Sequence, residues 1–495
     1  MSHIHPEVLR TQADVLLRQL AAKEKLSPKE RMAIPPQPMP EQDPVERSHN
    51  FSEVALGYGE AQARVEAMRC LQCRTQPCIE GCPVRLNISA FVGAIAVGDY
   101  RQAIDIIKQD SLLPAICGRV CPQETQCQEP CTLGKALKDP ARAVSIGRLE
   151  RFVADWEREQ GIQAPKVKPD TGRRVAVVGS GPASLVVAAD VRREGHAVTI
   201  LEAFHKPGGV MIYGIPEFRL PKKIVQNEID TLKAMGVEIR PNFVVGRTRR
   251  LQDLLDQDGY SAVFIGTGAG LPKFMGVPGE EFVGVFSANE YLTRVNLMKA
   301  YLKDAGTPVL PAKHVAVIGG GNVAMDSART ALRLGAAHVS IIYRRTEAEM
   351  PARVEEVGHA KEEGIEFRLL QNPTRILADD YGRVTAIECL KYELGEPDES
   401  GRRRPVPIKG SEFRLDVDCV IVAIGNGSNP LLTSTAPDLK LSKWGNILVD
   451  DDGKTSMDRV YAGGDIVLGA ATVILAMGQG RRAAASINRM LAAQT

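Results

Sequence analysis

Twice along this chain a short run of apolar residues ends on a glycine loop. The first run is Arg174-Val175-Ala176-Val177-Val178-Gly179 and the second is His314-Val315-Ala316-Val317-Ile318-Gly319. Apolar runs of this length read as strands buried on both faces, which belong in parallel sheets covered by helices. After each loop come a helical pattern and a second strand, Val198 to Glu202 and Val339 to Tyr343. The pattern predicts two α/β, Rossmann-like domains. With 495 residues the chain also exceeds what one core organises, so further domains are expected.

Gly179-Ser180-Gly181-Pro182-Ala183-Ser184 has the spacing G-x-G-x-x-small. The first glycine turns the chain, the second admits a pyrophosphate to the backbone amides, and the third small residue brings helix against strand. Glu202, at the end of the next strand, is placed to bind ribose hydroxyls and favours an adenosine without a 2′-phosphate. An ordinary strand-to-helix turn would look the same, but three more segments accompany it. They are Lys206-Pro207-Gly208-Gly209, the strand Ala262 to Gly266 with Thr267-Gly268, and Gly463-Gly464-Asp465. Together these resemble the two-dinucleotide-binding flavoproteins, which implies that the dinucleotide is FAD. Its expected contacts are Gly179, Gly181, Pro182, Ala183, Glu202, Gly209, Thr267, Gly268 and Gly464, with Asp465 on the ribityl or pyrophosphate side.

The second loop, Gly319-Gly320-Gly321-Asn322-Val323-Ala324, is followed by a strand ending in Tyr343-Arg344-Arg345 in place of an acid. A carboxylate there would repel a 2′-phosphate, whereas guanidinium groups bind one through charge-assisted bonds. NADPH is therefore expected over NADH, with Gly319, Gly321, Asn322, Val323, Arg344 and Arg345 as contacts. The alternative for the two arginines is a solvated basic strand end.

Eight of the ten cysteines lie between Cys70 and Cys131. No apolar run approaches the ~20 residues of a membrane span, and Met1 to Leu20 reads as a polar amphipathic start, so the chain is expected in the cytoplasm. In a reducing compartment, clustered thiols serve metals or redox chemistry more often than disulfides. Cys70, Cys73, Cys78 and Cys82 are spaced C-x2-C-x4-C-x3-C before Pro83, and Cys117, Cys121, Cys127 and Cys131 are spaced C-x3-C-x5-C-x3-C. The ending C-x3-C-P copies the bacterial ferredoxin run, whose last cysteine ligates the other cluster, so the two groups are expected to exchange ligands. Zinc would be the structural alternative, but a redox-inert metal gives a flavoprotein no electron path. Cys389 and Cys419 lie in apolar strand patterns and read as core.

Around these motifs, residues 1–50 read as an arm, helical and then proline-rich from Ile34 to Pro40. It is either a loose tail or a docking segment. Residues 51–169 read as a helical domain, with Ala141 to Glu159 as its clearest amphipathic helix, and Lys166 to Gly172 as a linker. A balance of 62 basic against 60 acidic side chains argues against a nucleic-acid partner.

From about Glu60 onward the chain resembles the small subunit of glutamate synthase and its relatives. Three stretches are more narrowly similar to the large subunit of NADH-dependent ferredoxin:NADP oxidoreductase, which bifurcates electrons: Ile116 to Pro122, Ser287 to Met298, and Arg31 to Pro44. The resemblance implies an FAD domain split by the NADPH domain, with FAD segments at 170–290 and 425–495 around an NADPH segment at 291–424. It implies flavin contacts in Tyr213 to Lys222, including Arg219, and at Thr472 in Ala471-Thr472-Val473-Ile474, which begins a helix aimed at the flavin. Ser184 departs from the family's usual glycine but is small enough to serve. The resemblance further implies one 4Fe-4S cluster on Cys70, Cys73, Cys78 and Cys131. A second is implied on Cys82, Cys121 and Cys127, with Glu150 of Ile146-Gly147-Arg148-Leu149-Glu150 as fourth ligand in place of Cys117. On the residues alone, Cys117 would be the eighth thiol and Glu150 an exposed glutamate paired with Arg148 or Arg151.

No side chain is singled out as a catalytic acid or base, because the cofactors carry hydride and electron transfer. Three functions compete. The leading one is the large subunit of a bifurcating transhydrogenase, working with a small 2Fe-2S flavoprotein and with ferredoxin. The second is the NADPH-oxidising small subunit beside a glutamate synthase large subunit, and the third is a non-catalytic flavin-bearing scaffold.

Overall fold

A computed structural model describes residues 3–399 and 401–493; residues 1 and 495, the outer limits of the expected first and last segments, lie outside it. The first glycine-loop strand, Arg174–Val178, sits at the centre of a five-stranded parallel sheet. The order across that sheet is Val460–Ala462, Ala262–Ile265, Arg174–Val178, Ala197–Leu201, Glu238–Arg240. Every one of its pairings is parallel. Its edge strand Val460–Ala462 arrives only after the second dinucleotide domain, as expected of a split domain. The helices Pro182–Arg193 and Val473–Ala492 cover one face. A Cβ at Gly480 would come within 2.6 Å of the Ala183 carbonyl oxygen, so glycine is what permits this close approach.

A second parallel sheet runs Val285–Ser287, Cys419–Val422, His314–Ile318, His338–Tyr343, Glu366–Leu369. Val285–Ser287 pairs in register with Val420 to Val422, so the first domain boundary falls before Val285 and not at 290. Three residues carry no period that could have shown this. The sequence also gave no sign of the antiparallel sheet that follows, built from Gln371–Ala378, Val384–Pro397, Arg403–Pro407 and Phe413–Asp416.

The cysteines lie among the helices Glu60–Met68, Pro77–Glu80, Ile88–Val97, Tyr100–Asp110, Pro114–Val120, Thr132–Ala136 and Ile146–Gln160. The last begins at Ile146, five residues later than expected from Ala141. The reason is tertiary: Arg69 takes the Arg142 and Ala143 carbonyls and Glu66 takes the Ser145 N–H, which withdraws these groups from a helix. One continuous apolar core runs from Phe91, Ile116 and Leu149 of this domain to Val187 and Met477 of the FAD domain. The two are packed as one body, while the NADPH domain has its own core around Val317, Met325 and Ile341.

The arm is not a loose tail. Its proline stretch is pinned by the Gln37 N–H to Glu66 at 2.8 Å and by the Tyr58 hydroxyl to the Gln37 carbonyl at 2.6 Å. Arg47, 1% exposed, pairs with Glu41, and with Glu362 and Glu363 of the NADPH domain. Among the described residues no helix is long and apolar enough to cross a membrane.

Candidate functional site

Both glycine loops have geometry that other residues would block. Gly179 has φ +93°, and a Cβ there would stand 2.6 Å from the Gly266 carbonyl oxygen. Gly181 faces open space, and it caps the helix Pro182–Arg193 without a side chain, leaving the first N–H groups of the helix for an anion. Gly209, at φ +55°, crosses this loop so closely that its Cβ would meet the Gly181 Cα at 2.8 Å. Glu202 is buried at the strand end, where it accepts the Phe204 N–H at 2.8 Å and the Ser180 hydroxyl. Thr267 is exposed and Gly268, at φ +71°, is half-buried beyond the neighbouring strand Ala262–Ile265. Gly464, at φ +80°, packs on Ala183, and next to it burial pushes the Asp465 carboxyl up to about 6. Thr472 caps the helix Val473–Ala492 by accepting the Leu475 N–H. These residues fit a dinucleotide laid across the strand ends.

The second loop repeats the arrangement. A Cβ on Gly319 would lie 2.3 Å from the Ala423 carbonyl oxygen, and one on Gly320 would strike the Tyr343 ring. Gly321 caps the helix Asn322–Arg333 without a side chain; Asn322 accepts the Arg353 N–H at 3.0 Å, and Val323 is exposed. The two arginines part company. Arg344 is exposed, with no hydrogen bond or ion pair among the described residues. Arg345 is 6% exposed, pairs with Asp398 at 2.7 Å and donates to the Arg403 carbonyl at 2.7 Å. The expected pair of phosphate forks is thus one available guanidinium and one held by the antiparallel sheet.

Arg219, expected at the flavin, is engaged elsewhere in this structure. Its guanidinium joins the FAD and NADPH domains through Asp326 at 2.7 Å and Glu356 at 3.0 Å. Two buried carboxylates at this distance outcompete looser partners.

The cysteines fall into two sets in the fold. Cys70, Cys73, Cys78 and Cys131 line one cavity with Gln76, Pro77 and Leu133. Burial pushes the Cys70 thiol up to about 11 and Cys78 up to about 12, so ionisation there calls for a cationic partner. Glu150 lies near enough to Cys82, Cys121 and Cys127 for its charge to raise each of these thiols, after burial and, at Cys121, the neighbouring Cys117. Glu150 is 7% exposed and makes no ion pair among the described residues, and burial alone pushes its carboxyl up to about 8. The arginines that could have paired with it are taken: Arg148 by Glu355, and Arg151 by Glu53 and Asp155. A buried carboxylate without an ion pair, in the neighbourhood of three thiols, is compatible with a metal-cluster ligand. Cys117 lies nearby, so five candidate donors share this part of the fold, although among the described residues no three of them stand in metal-holding geometry.

The joint between this set and the flavin domain could not be read from the sequence. A Cβ on Gly478 would lie 2.8 Å from the Pro83 carbonyl oxygen, so the helix Val473–Ala492 rests directly on the Cys82-Pro83 turn. Gln126 reaches Thr472 at 3.4 Å, and the sulfurs of Cys117 and Met477 stand 3.5 Å apart.

Two family models cover nearly all of this architecture. Residues 47–162 match dihydropyrimidine dehydrogenase domain II, 4Fe-4S cluster, and residues 155–480 match the pyridine nucleotide-disulphide oxidoreductases. The chain belongs to the pyridine nucleotide-disulphide oxidoreductase family, in the branch with an N-terminal iron–sulfur domain that includes the small subunit of glutamate synthase. It is an NAD(P)H-dependent flavin oxidoreductase that binds FAD, NADPH and 4Fe-4S iron.

Among its relatives is the small chain of NADPH glutamate synthase from Azospirillum brasilense, 36% identical over 462 residues, 91% of this chain and 94% of that one. The beta subunit of NADP(+)-dependent formate dehydrogenase from Moorella thermoacetica is 41% identical over 442 residues, 84% of this chain and 60% of that one. This chain therefore spans less than two thirds of the formate dehydrogenase subunit. Mycobacterium tuberculosis FprA in complex with NADPH shares the fold, with a TM-score of 0.55 and 20% identity over 66% of this chain and 86% of that one.

Proposed function

We propose that this chain passes electrons between NADP(H) and a partner redox subunit by way of FAD and two 4Fe-4S clusters, as the large subunit of a bifurcating ferredoxin:NADP transhydrogenase. The observation that carries the reading is the seating of the helix Val473–Ala492 on the Cys82-Pro83 turn, which puts flavin-domain and cluster-domain residues in van der Waals contact.

The Gly179 and Gly209 loops would hold the FAD pyrophosphate, with Glu202 on the ribose and Asp465 and Thr472 nearer the ring. The Gly319 loop and Arg344 would hold NADPH. When bound, the flavin exchanges hydride with nicotinamide and single electrons with iron–sulfur clusters, so no side chain has to act as acid or base. Cys82, Cys121, Cys127 and Glu150 would hold the cluster nearer the flavin helix, and Cys70, Cys73, Cys78 and Cys131 the farther one.

The segments that carry the narrower resemblance lie at these junctions. Arg31 donates to the Cys70 carbonyl at 3.0 Å, and Asn296 reaches the Tyr213 and Gly214 carbonyls beside the flavin loops. Ten free cysteines suit a reducing, cytoplasmic setting.

A second reading, the electron-input subunit of glutamate synthase, is supported by the match in length to the Azospirillum brasilense small chain. The test is to assay the chain with its co-purified partner without oxygen. NADPH-driven ferredoxin reduction that requires NAD+ supports the first reading. Glutamine-dependent NADPH oxidation without it supports the second and removes the first.

A further inference from the structure

The FAD and cluster domains share one core and the NADPH domain has another, so the approach of nicotinamide to flavin depends on what ties the NADPH domain to that body. On the cluster side the tie is a pair of helix caps, each supplied by the other domain. The helix Pro114–Val120 ends with the Arg119 carbonyl unclaimed by its own turn, because the Gln123 N–H goes to the Cys121 carbonyl. Arg353 of the NADPH domain donates to the Arg119 carbonyl at 2.9 Å, with its guanidinium steadied by Glu355 at 2.8 Å. In return, the helix Val354–Glu362 has no side-chain cap from its own N-cap residue, and its Val354 N–H donates to the Glu124 carboxylate of the cluster domain at 3.2 Å. A cation at a helix C-terminus and an anion at an N-terminus both sit favourably in the helix dipoles. Arg353 is 6% exposed, and its backbone N–H is the one that Asn322 of the second glycine loop accepts at 3.0 Å. Pro351, two residues earlier, lies 3.9 Å from where a Cβ on Gly321 would stand. One residue thus grips the nucleotide loop with its backbone and the cluster-domain helix with its side chain.

We infer that Arg353 is a positioning residue that couples the two domains: it seats the nucleotide loop against the helix Pro114–Val120, so that nucleotide binding and the order of this cluster-domain segment support each other. The inference rests on the assignment of the Gly319 loop to NADPH. Nucleotide on the amides at the start of the helix Asn322–Arg333 holds Asn322, Asn322 holds the Arg353 backbone, and the Arg353 guanidinium holds the Arg119 carbonyl. Ordering one end of such a chain lowers the cost of ordering the other, and the coupling acts equally in both directions. Because Arg353 meets the loop at Asn322 and not at Arg344, its loss falls on NADPH and NADH alike.

The test is hydrogen exchange on the full chain loaded with FAD and iron, with and without saturating NADP+, in wild type, Arg353→Ala, Arg353→Lys and Glu124→Ala. In wild type, NADP+ is expected to slow exchange at the start of the helix Asn322–Arg333 and also across residues 114–125. In Arg353→Ala the first protection stays and the second is lost, and titrations show NADP+ and NAD+ both bound about fivefold or more weakly. Arg353→Lys, which can still donate to the Arg119 carbonyl, restores part of the protection across 114–125. Protection there that is the same in Arg353→Ala as in wild type, or that is absent from wild type, overturns the inference and leaves the nucleotide site standing. No protection at the start of the helix Asn322–Arg333 in wild type overturns both. If Arg353→Ala does not fold, Glu124→Ala removes the reciprocal cap from a half-buried position, and an undiminished response across 114–125 in that variant overturns the inference.

Discussion

Arg219 of the FAD domain holds both carboxylate oxygens of Asp326 of the NADPH domain at 2.7 Å. Removing one partner of a buried ion pair leaves an uncompensated charge, at a cost of about 3–5 kcal/mol. Arg219→Ala is therefore expected to speed hydrogen exchange across the helix Asn322–Arg333 and to slow flavin reduction by NADPH, with FAD content unchanged. FAD loss in proportion to lost activity would return Arg219 to the flavin-contact role implied by the family resemblance.

The two arginines after Tyr343 are expected to behave differently. Arg344→Ala should weaken NADPH by about 1.5–3 kcal/mol, the worth of a charge-assisted bond, and leave NADH binding unchanged. Arg345→Ala removes the partner of Asp398 and the bond to the Arg403 carbonyl, so it should affect both nucleotides alike. Binding titrations with both nucleotides separate the two. A 2′-phosphate effect confined to Arg345 would reverse the assignment.

Asp465 gives a pH signature. Burial raises its carboxyl in the folded chain to about 6 from 3.8, so the folded state binds this proton more tightly than the unfolded one. Stability from this group is present at low pH and lost as pH rises from about 4 through 6. In flavin-free protein, Asp465→Asn should be more stable than wild type at pH 7 by about 1–3 kcal/mol, with the gap closing towards pH 4. Denaturation followed at both pH values checks this, and a gap that widens at low pH would contradict it.

Gly478→Ala forces a methyl group to within 2.8 Å of the Pro83 carbonyl oxygen, and so lifts the flavin helix from the Cys82-Pro83 turn. Flavin reduction by NADPH should keep its rate, while electron exchange between flavin and clusters slows. Stopped-flow optical traces resolve the two phases; slowing of the first alone would show that the contact serves only the fold.

What could be read from the chain beforehand depended on local chemistry. Gly179 and Gly319 announce their loops because a Cβ would collide with a neighbouring strand's carbonyl, and that requirement leaves a mark in the sequence. The run Cys78-x3-Cys82-Pro83 is legible in the same way, and the fold places Cys78 but not Cys82 in the cavity lined by Cys70, Cys73 and Cys131. Arg345 does not announce its bond to Asp398, because that partner lies 53 positions away on a hairpin with no motif. Nor do Met477 and Gly478 announce the seat beneath them: both look like ordinary positions of an amphipathic helix. The true start of the helix at Ile146 was hidden because Arg69 and Glu66 capture the backbone before it.

The most direct test of electron passage is to reduce the loaded protein fully with dithionite, remove the excess, and mix it with surplus NADP+ without oxygen. A flavin holding two electrons and two clusters holding one each predict about two NADPH formed per chain, with the reduced-cluster resonance signals vanishing as NADPH appears. One NADPH per chain, with both cluster signals left standing, would show that the clusters do not exchange electrons with the flavin and would contradict the account.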